Sequence, residues 1–155
     1  MCGGSERDLQ DPKRYGALAV VEDSGVAQEP DPASLAGQLL FFNANDHRSP
    51  VATHVRFTPS ITSCMHHDLN LTIFSTGDLT VPRAECKELE SFTIPRHGSS
   101  ATPVEKRLEQ QLLLQVGGDG IIGRRIAVSS ASTSSSSIAE GVVGFNYGAI
   151  PLSNL

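Results

Sequence analysis

The chain has no block of lysine and arginine. Its 12 Lys and Arg are outnumbered by 17 Asp and Glu, for a formal net charge of −5. Nucleic-acid binding needs a concentrated basic footprint, so no nucleic-acid partner is expected. The carboxylates are scattered, so the acidity reads as solubility rather than as an acidic tail. No apolar run approaches the roughly 20 residues that span a bilayer. The longest, 37–42 and 111–116, are strand-sized, so no membrane partner is expected. Residues 1–14 carry Glu6, Asp8 and Asp11 and no apolar core, which argues against a secretory signal. The start Met1-Cys2-Gly3 lacks the Met-Gly that myristoylation requires. Cysteine is scarce: Cys2, Cys64 and Cys86. A sparse, odd count fits a reducing compartment, so the expected location is cytoplasmic and not secreted. Pairing of Cys64 with Cys86 stays open.

Several chemistries lack their motifs. Gly117-Gly118-Asp119-Gly120 has no following Lys-Ser/Thr, so it reads as a turn and not as a phosphate loop. Ser134 to Ser137 has no Gly-x-Ser-x-Gly elbow, which makes a hydrolase a poor reading. Adjacent His66 and His67 would point to opposite faces of a strand and could not chelate one ion from it. His47 and His97 fall in turn-like sequence, and His54 on a strand. Asp119 and Glu140 are candidate paired carboxylates, with nothing in the sequence to place them in one cleft.

What is present is a series of short extended segments. The 155 residues suffice for one domain with its own core. Residues 1–14 read as a disordered tail, 15–147 as a β-sandwich and 148–155 as a C-terminal extension. Strands are expected at Ala17–Val21, Gly37–Asn43, Val51–Phe57, Leu69–Ile73, Phe92–Ile94, Ile121–Val128 and Gly141–Tyr147. Leu69, Leu71 and Ile73 alternate with Asn70 and Thr72 in a clean period of two. Val51, Thr53, Val55 and Phe57 are expected on one side of the third strand. Ser129 to Ser137 reads as a low-complexity loop. One segment stays open. Thr102-Pro103-Val104-Glu105 has a capping-box pattern, and Glu105 to Leu114 has helix-forming composition, so helix and strand compete there. Many short strands separated by turns indicate an antiparallel sandwich or barrel.

Four segments, in order, carry a family likeness. Gly118-Asp119-Gly120-Ile121-Ile122-Gly123-Arg124 and Ala139-Glu140-Gly141-Val142-Val143-Gly144 resemble the closing third of the Cu/Zn superoxide dismutases. His67-Asp68-Leu69-Asn70-Leu71-Thr72 before Gly77-Asp78 is similar to the family's copper-binding strand, and Thr93-Ile94-Pro95-Arg96-His97-Gly98 to a later hairpin. The likeness runs from Tyr15 to Tyr147. It implies an all-β, eight-stranded Greek-key barrel flattened into a sandwich.

The resemblance also implies what is missing. Family members hold copper with four imidazoles and zinc with three imidazoles and an aspartate. The former copper-ligand positions carry Asn70, Thr72 and Ser129, whose amide and hydroxyl oxygens are poor copper donors. The former active-site arginine position carries Ser137, and Glu140 stands where a disulfide cysteine belongs, leaving Cys86 without its partner. Only Lys87 to Ser91 separate Cys86 from Phe92, so the zinc-binding loop is missing. Expected cofactors are none, and the expected protein is a non-catalytic relative. Its short loop and C-terminal extension resemble the superoxide-dismutase-like virion proteins of poxviruses, which implies residence in the virion and host cytoplasm. By resemblance, a homodimer would use Gly77, Ile122, Gly123 and Phe145, and a host metallochaperone is an alternative partner. The competing readings are a residual dismutase with copper at another site and a metal-binding module built on Cys86 and His66.

Overall fold

The computed structural model describes residues 15–23, 34–60, 68–95, 103–131 and 138–147. The expected residues 1–14 tail, residues 148–155, Cys2, Cys64, His66, His67, His97 and Ser137 lie outside the described residues. Strand β1 (Ala17–Asp23) pairs with β2 (Gly37–Phe42), β2 with β3 (Val51–Pro59), and β3 with β6 (Val104–Leu113). On the other side of the molecule β5 (Glu88–Ile94) pairs with β4 (Leu69–Phe74), β4 with β7 (Arg125–Ser130), and β7 with β8 (Ile138–Val142). The β1–β8 ladder joins the two halves, and a short β9 (Gly144–Phe145) extends it along β1. The resulting antiparallel order is β5-β4-β7-β8-β1-β2-β3-β6, with β9 beside β1. The chain crosses between halves after β3, after β5 and after β6, which is Greek-key connectivity. The expected all-β, eight-stranded barrel or sandwich is therefore the observed architecture. No helix among the described residues is long and apolar enough to cross a membrane.

Alternation builds the core. Ala17, Ala19 and Val21 of β1, Leu69, Leu71 and Ile73 of β4, and Ile126 and Val128 of β7 all point inward and are buried. Phe41 and Phe57 are the largest fully buried side chains. The third strand departs from the expected alternation. A bulge between Ala52 and His54 shifts its register against β6. The buried set is consequently Ala52, Val55 and Phe57, while Val51 and Thr53 are half-buried. Between the pairs Ala52–Leu112 and His54–Arg107, β3 advances two residues and β6 five, an irregularity that simple alternation does not foresee.

The segment with competing signals is strand β6. Its intermediate positions Val104, Lys106 and Leu108 alternate with exposed Glu105, Arg107 and Glu109. Pairing with β3 overrides its helix-forming composition, and Arg56 bridges across to Glu105 at 3.0 Å. The segment Ile121–Val128 also differs from expectation. Its first half is a turn, with Arg124 N–H donating to Ile121 O at 3.2 Å, and the strand starts at Arg125. The last strand begins earlier than expected, at Ile138, and breaks at Val143 into β8 and β9. Gly117 to Gly120 form the expected turn, closed by Gly120 N–H on Gly117 O at 3.0 Å. A Cβ on Gly120 would fall 2.0 Å from Gln115 O, so the turn admits no side chain there.

Two truncations on neighbouring strands check this assignment. Phe57→Ala empties a fully buried site and is expected to cost about 3–5 kcal/mol in chemical denaturation. Leu113→Ala, on the 37% exposed side of β6, is expected to change stability by about 0.5 kcal/mol or less. Equal losses would contradict the outward placement of Leu113.

Candidate functional site

The outward face of β5-β4-β7-β8 carries the residues that sequence singled out. Since Leu69, Leu71 and Ile73 fill the core, Asn70 and Thr72 face outward. The ladders then set two polar rows. Thr93, Asn70, Ser129 and Ile138 lie side by side across four strands. Ser91, Thr72, Ala127 and Glu140 form the next row, continued by Glu22 of β1. A third row holds Phe74, Arg125 and Val142.

Hydrogen bonds tie the first two rows internally. Thr93 Oγ1 donates to Asn70 Oδ1 at 2.9 Å, and Ser91 Oγ donates to Leu71 O at 3.3 Å. Thr72 Oγ1 lies 3.4 Å from Ser91 Oγ. The loop 75–87 folds back over the face and leaves an open groove of about 560 Å³ against it. Thr72, Ser129, Phe74, Arg83, Cys86 and Glu88 are among the lining residues. The structure thus brings Asn70, Thr72 and Ser129 into one neighbourhood. The position of Ser137 lies outside the described residues.

These donors do not fit copper or zinc. Neutral amide and hydroxyl oxygens are weak ligands for either, and here Asn70 is engaged by Thr93 and Thr72 lies against Ser91. Among the described residues no three of His, Cys, Asp and Glu gather around one point. His54 is turned to another use: its ring stacks on Phe42 at 5.6 Å, and its Nδ1 meets Thr53 Oγ1 at 2.7 Å. The loop before β5 is short, with Lys87 alone between Cys86 and the strand.

The third row contains what sequence reading did not find. Arg125 is only 4% exposed, and its guanidinium lies over the Phe74 ring, 5.7 Å from the centroid. Its Nε donates to Glu140 Oε2 at 2.9 Å, and Nη2 donates to the same oxygen. Its Nη1 donates to Val81 O at 2.6 Å and to Asp78 O at 3.3 Å, and lies 3.6 Å from Cys86 Sγ. Arg83 from the loop donates to the other oxygen of Glu140. Arg125 therefore touches both Cys86 and Glu140, the two positions where the resemblance implies a disulfide. The signal available in sequence was an arginine and a glutamate, each interrupting an otherwise apolar strand. The neighbouring Arg124 does similar work on the other side, donating to Gly120 O at 2.6 Å and Ser75 O at 2.7 Å.

The four residues expected at a subunit contact cluster only in part. Gly77 and Gly123 meet closely, since a Cβ on Gly77 would fall 2.1 Å from Gly123 O. Gly123 N–H donates to Val143 O at 2.7 Å, which sets this turn against the end of β8. Ile122 is 7% exposed and belongs to the core, so its apolar surface is used within the chain. Phe145 also packs against the core. The exposed apolar side chains nearby are others: Val20 at 52% and Val142 at 39%. The β1 ladders to β8 and β9 place these two directly opposite each other on the outward face. Asp119 and Glu140 do not form a pair, because Glu140 is taken by the two arginines.

Searches of the chain against protein-family models and against curated proteins find no match.

Two predictions follow from the charges. Glu140→Ala leaves a buried guanidinium without its carboxylate and is expected to cost about 3–5 kcal/mol. In a double-mutant cycle with Arg125→Met, the combined loss is expected to fall well short of the sum of the single losses. The second concerns acid. Hydrogen bonds from the Thr80 side chain and backbone hold the Asp78 carboxyl below its ordinary value of 3.8, and the Arg125 charge adds to this. A depressed folded value means the stabilisation is complete above 3.8 and is lost as pH falls through the lower folded value. The stability gap between wild type and Asp78→Asn should therefore close below that pH; a gap that persists in acid would remove the assignment.

Proposed function

We propose that this chain is a non-catalytic relative of the Cu/Zn superoxide dismutases that acts through protein contact. The observation that carries this reading is the polar row of Thr93, Asn70 and Ser129, in which Thr93 is hydrogen-bonded to Asn70. It stands where that family presents imidazoles to copper. A dismutase needs an ion that cycles between two oxidation states, and these side chains supply no nitrogen donor to grip one. The Arg83–Glu140–Arg125 network supports the same reading, because it ties the loop to β8 where the family uses a covalent bond.

Contact is assigned to the face around Val20 and Val142. Exposed apolar side chains paired across a ladder, beside the tight Gly77–Gly123 approach, suit a two-fold contact with a second copy. By the resemblance, the family's subunits pair around the turns that match Gly77, Ile122 and Gly123 and the final strand at Phe145, so a host metallochaperone that docks on such subunits is the alternative partner. Residence in the virion and host cytoplasm belongs to this reading, through the resemblance to the poxvirus proteins.

Elemental analysis of the purified full chain, joined to a dismutase assay after copper loading, tests the first half. The expected result is no stoichiometric copper and no turnover; tight copper with turnover would overturn it. The family alignment has its own check. Glu140→Cys should form a disulfide with Cys86 under oxidising conditions, seen by peptide mapping. Failure of a folded variant to form that bond would separate the chain from the family.

A further inference from the structure

The sheet order ends at β5 and β6, and no ladder joins these two strands among the described residues. The β1–β8 ladder is at the middle of that order. The seam between β5 and β6 is therefore on the far side of the barrel from the face just proposed, and its use is independent of that reading.

The inward positions along the seam are mixed in chemistry. Leu71 pairs with Phe92 and Ile73 with Glu90, and both β4 residues are core, so Phe92 and Glu90 take the inward face. Val55 pairs with Lys106 and Ala52 with Leu112, which puts those two inward as well. Together with Leu108 and Glu109 they line a slot of about 270 Å³. Lys106 Nζ donates to Thr93 O at 2.7 Å and bridges the seam there. Among the described residues no backbone ladder joins the two strands. Glu90 and Glu109 have no ion-pair or hydrogen-bond partner among the described residues.

We propose that this slot binds an extended peptide segment through one lysine or arginine side chain. Strand edges without a neighbour offer backbone groups to an added strand, and every second residue of that strand would face the slot. The volume is just below the range of about 300–1,000 Å³ usual for small-molecule pockets, and suits a single long side chain. The aliphatic stem packs on Phe92, Leu108 and Leu112. The cationic head reaches the inward carboxylate of Glu90, a charge-assisted contact beside an apolar stem, while the Lys106 ammonium in the same slot is already held on Thr93 O. A negative side chain would meet the unpaired Glu90 carboxylate and be disfavoured.

The test uses the full chain and the peptide acetyl-Thr-Val-Lys-Val-Thr-amide. Amide resonances are followed by two-dimensional NMR during titration, alongside peptides with glutamate or norleucine in place of the lysine. The expected result is a saturable shift confined to β5 and β6 with the lysine peptide. Binding should be roughly tenfold weaker with norleucine and absent with glutamate. Glu90→Gln should weaken the lysine peptide by a similar factor while the rest of the spectrum stays unchanged. No saturable shift, equal binding of all three peptides, or self-association through β5 and β6 that the peptide does not displace would each overturn the proposal.

Discussion

A guanidinium cannot shed its proton in a protein, so a buried arginine must find its partners. Arg125 is that constraint here. Its backbone belongs to β7, whose inward neighbours Ile126 and Val128 are fully in the core. The side chain emerges on the outward face beside Phe74 and cannot reach water freely. Glu140, two strand positions from Val142, supplies the carboxylate, and the loop supplies the carbonyls of Asp78 and Val81. The consequence is positional rather than energetic. A buried ion pair returns little net stability once desolvation is counted. What it does is choose one place for the loop 75–87 out of many that a surface loop could take. The groove over Thr72 and Ser129 exists because that loop is held there.

The same face carries hydroxyls beside the ion pair, and its further carboxylates, Glu22 and Glu88, are exposed. Thr72 lies against Ser91 and Thr93 donates to Asn70, so these polar groups are paired with one another. Under the proposed family reading, redox ligands were replaced by groups that close their own hydrogen bonds, and a covalent link by an ionic one. The two replacements are of one kind: each exchanges chemistry that depends on metal or oxidant for contacts the chain makes alone.

How far sequence reading reached depends on whether the signal was local. Leu69, Leu71 and Ile73 announced a strand because the period-two pattern lies within six residues. The Gly117–Gly120 turn was legible for the same reason. The outward placement of Asn70, Thr72 and Ser129 followed once the strands were placed. By contrast, Glu105 to Leu114 has helix-forming residues in a strand, and what decides it is pairing with Val51 to Phe57, about fifty positions away. The bulge at Ala52–His54 left no mark that alternation could use. The Arg125–Glu140 pair is non-local in the same way: each charge looks like an isolated interruption until two strands bring them together. Ile122 was reached only through the resemblance, as a contact residue; the turn at Ile121–Arg124 directs it into the core.

An eight-stranded sheet that stops short of closing must keep two edges, and each edge can recruit a stranger. This chain manages the two edges with inward charge. Lys106 and Glu90 stand at core-facing positions of the outermost strands, where full closure would demand apolar side chains. A flat apolar strand sliding into the seam would bury that carboxylate unpaired, a cost of several kcal/mol. A strand that brings a cation to the same place faces no such cost. Under the proposed use of the seam, the device that keeps indiscriminate pairing out is selective as well as protective: rejection of most strands and acceptance of a basic one come from the same carboxylate.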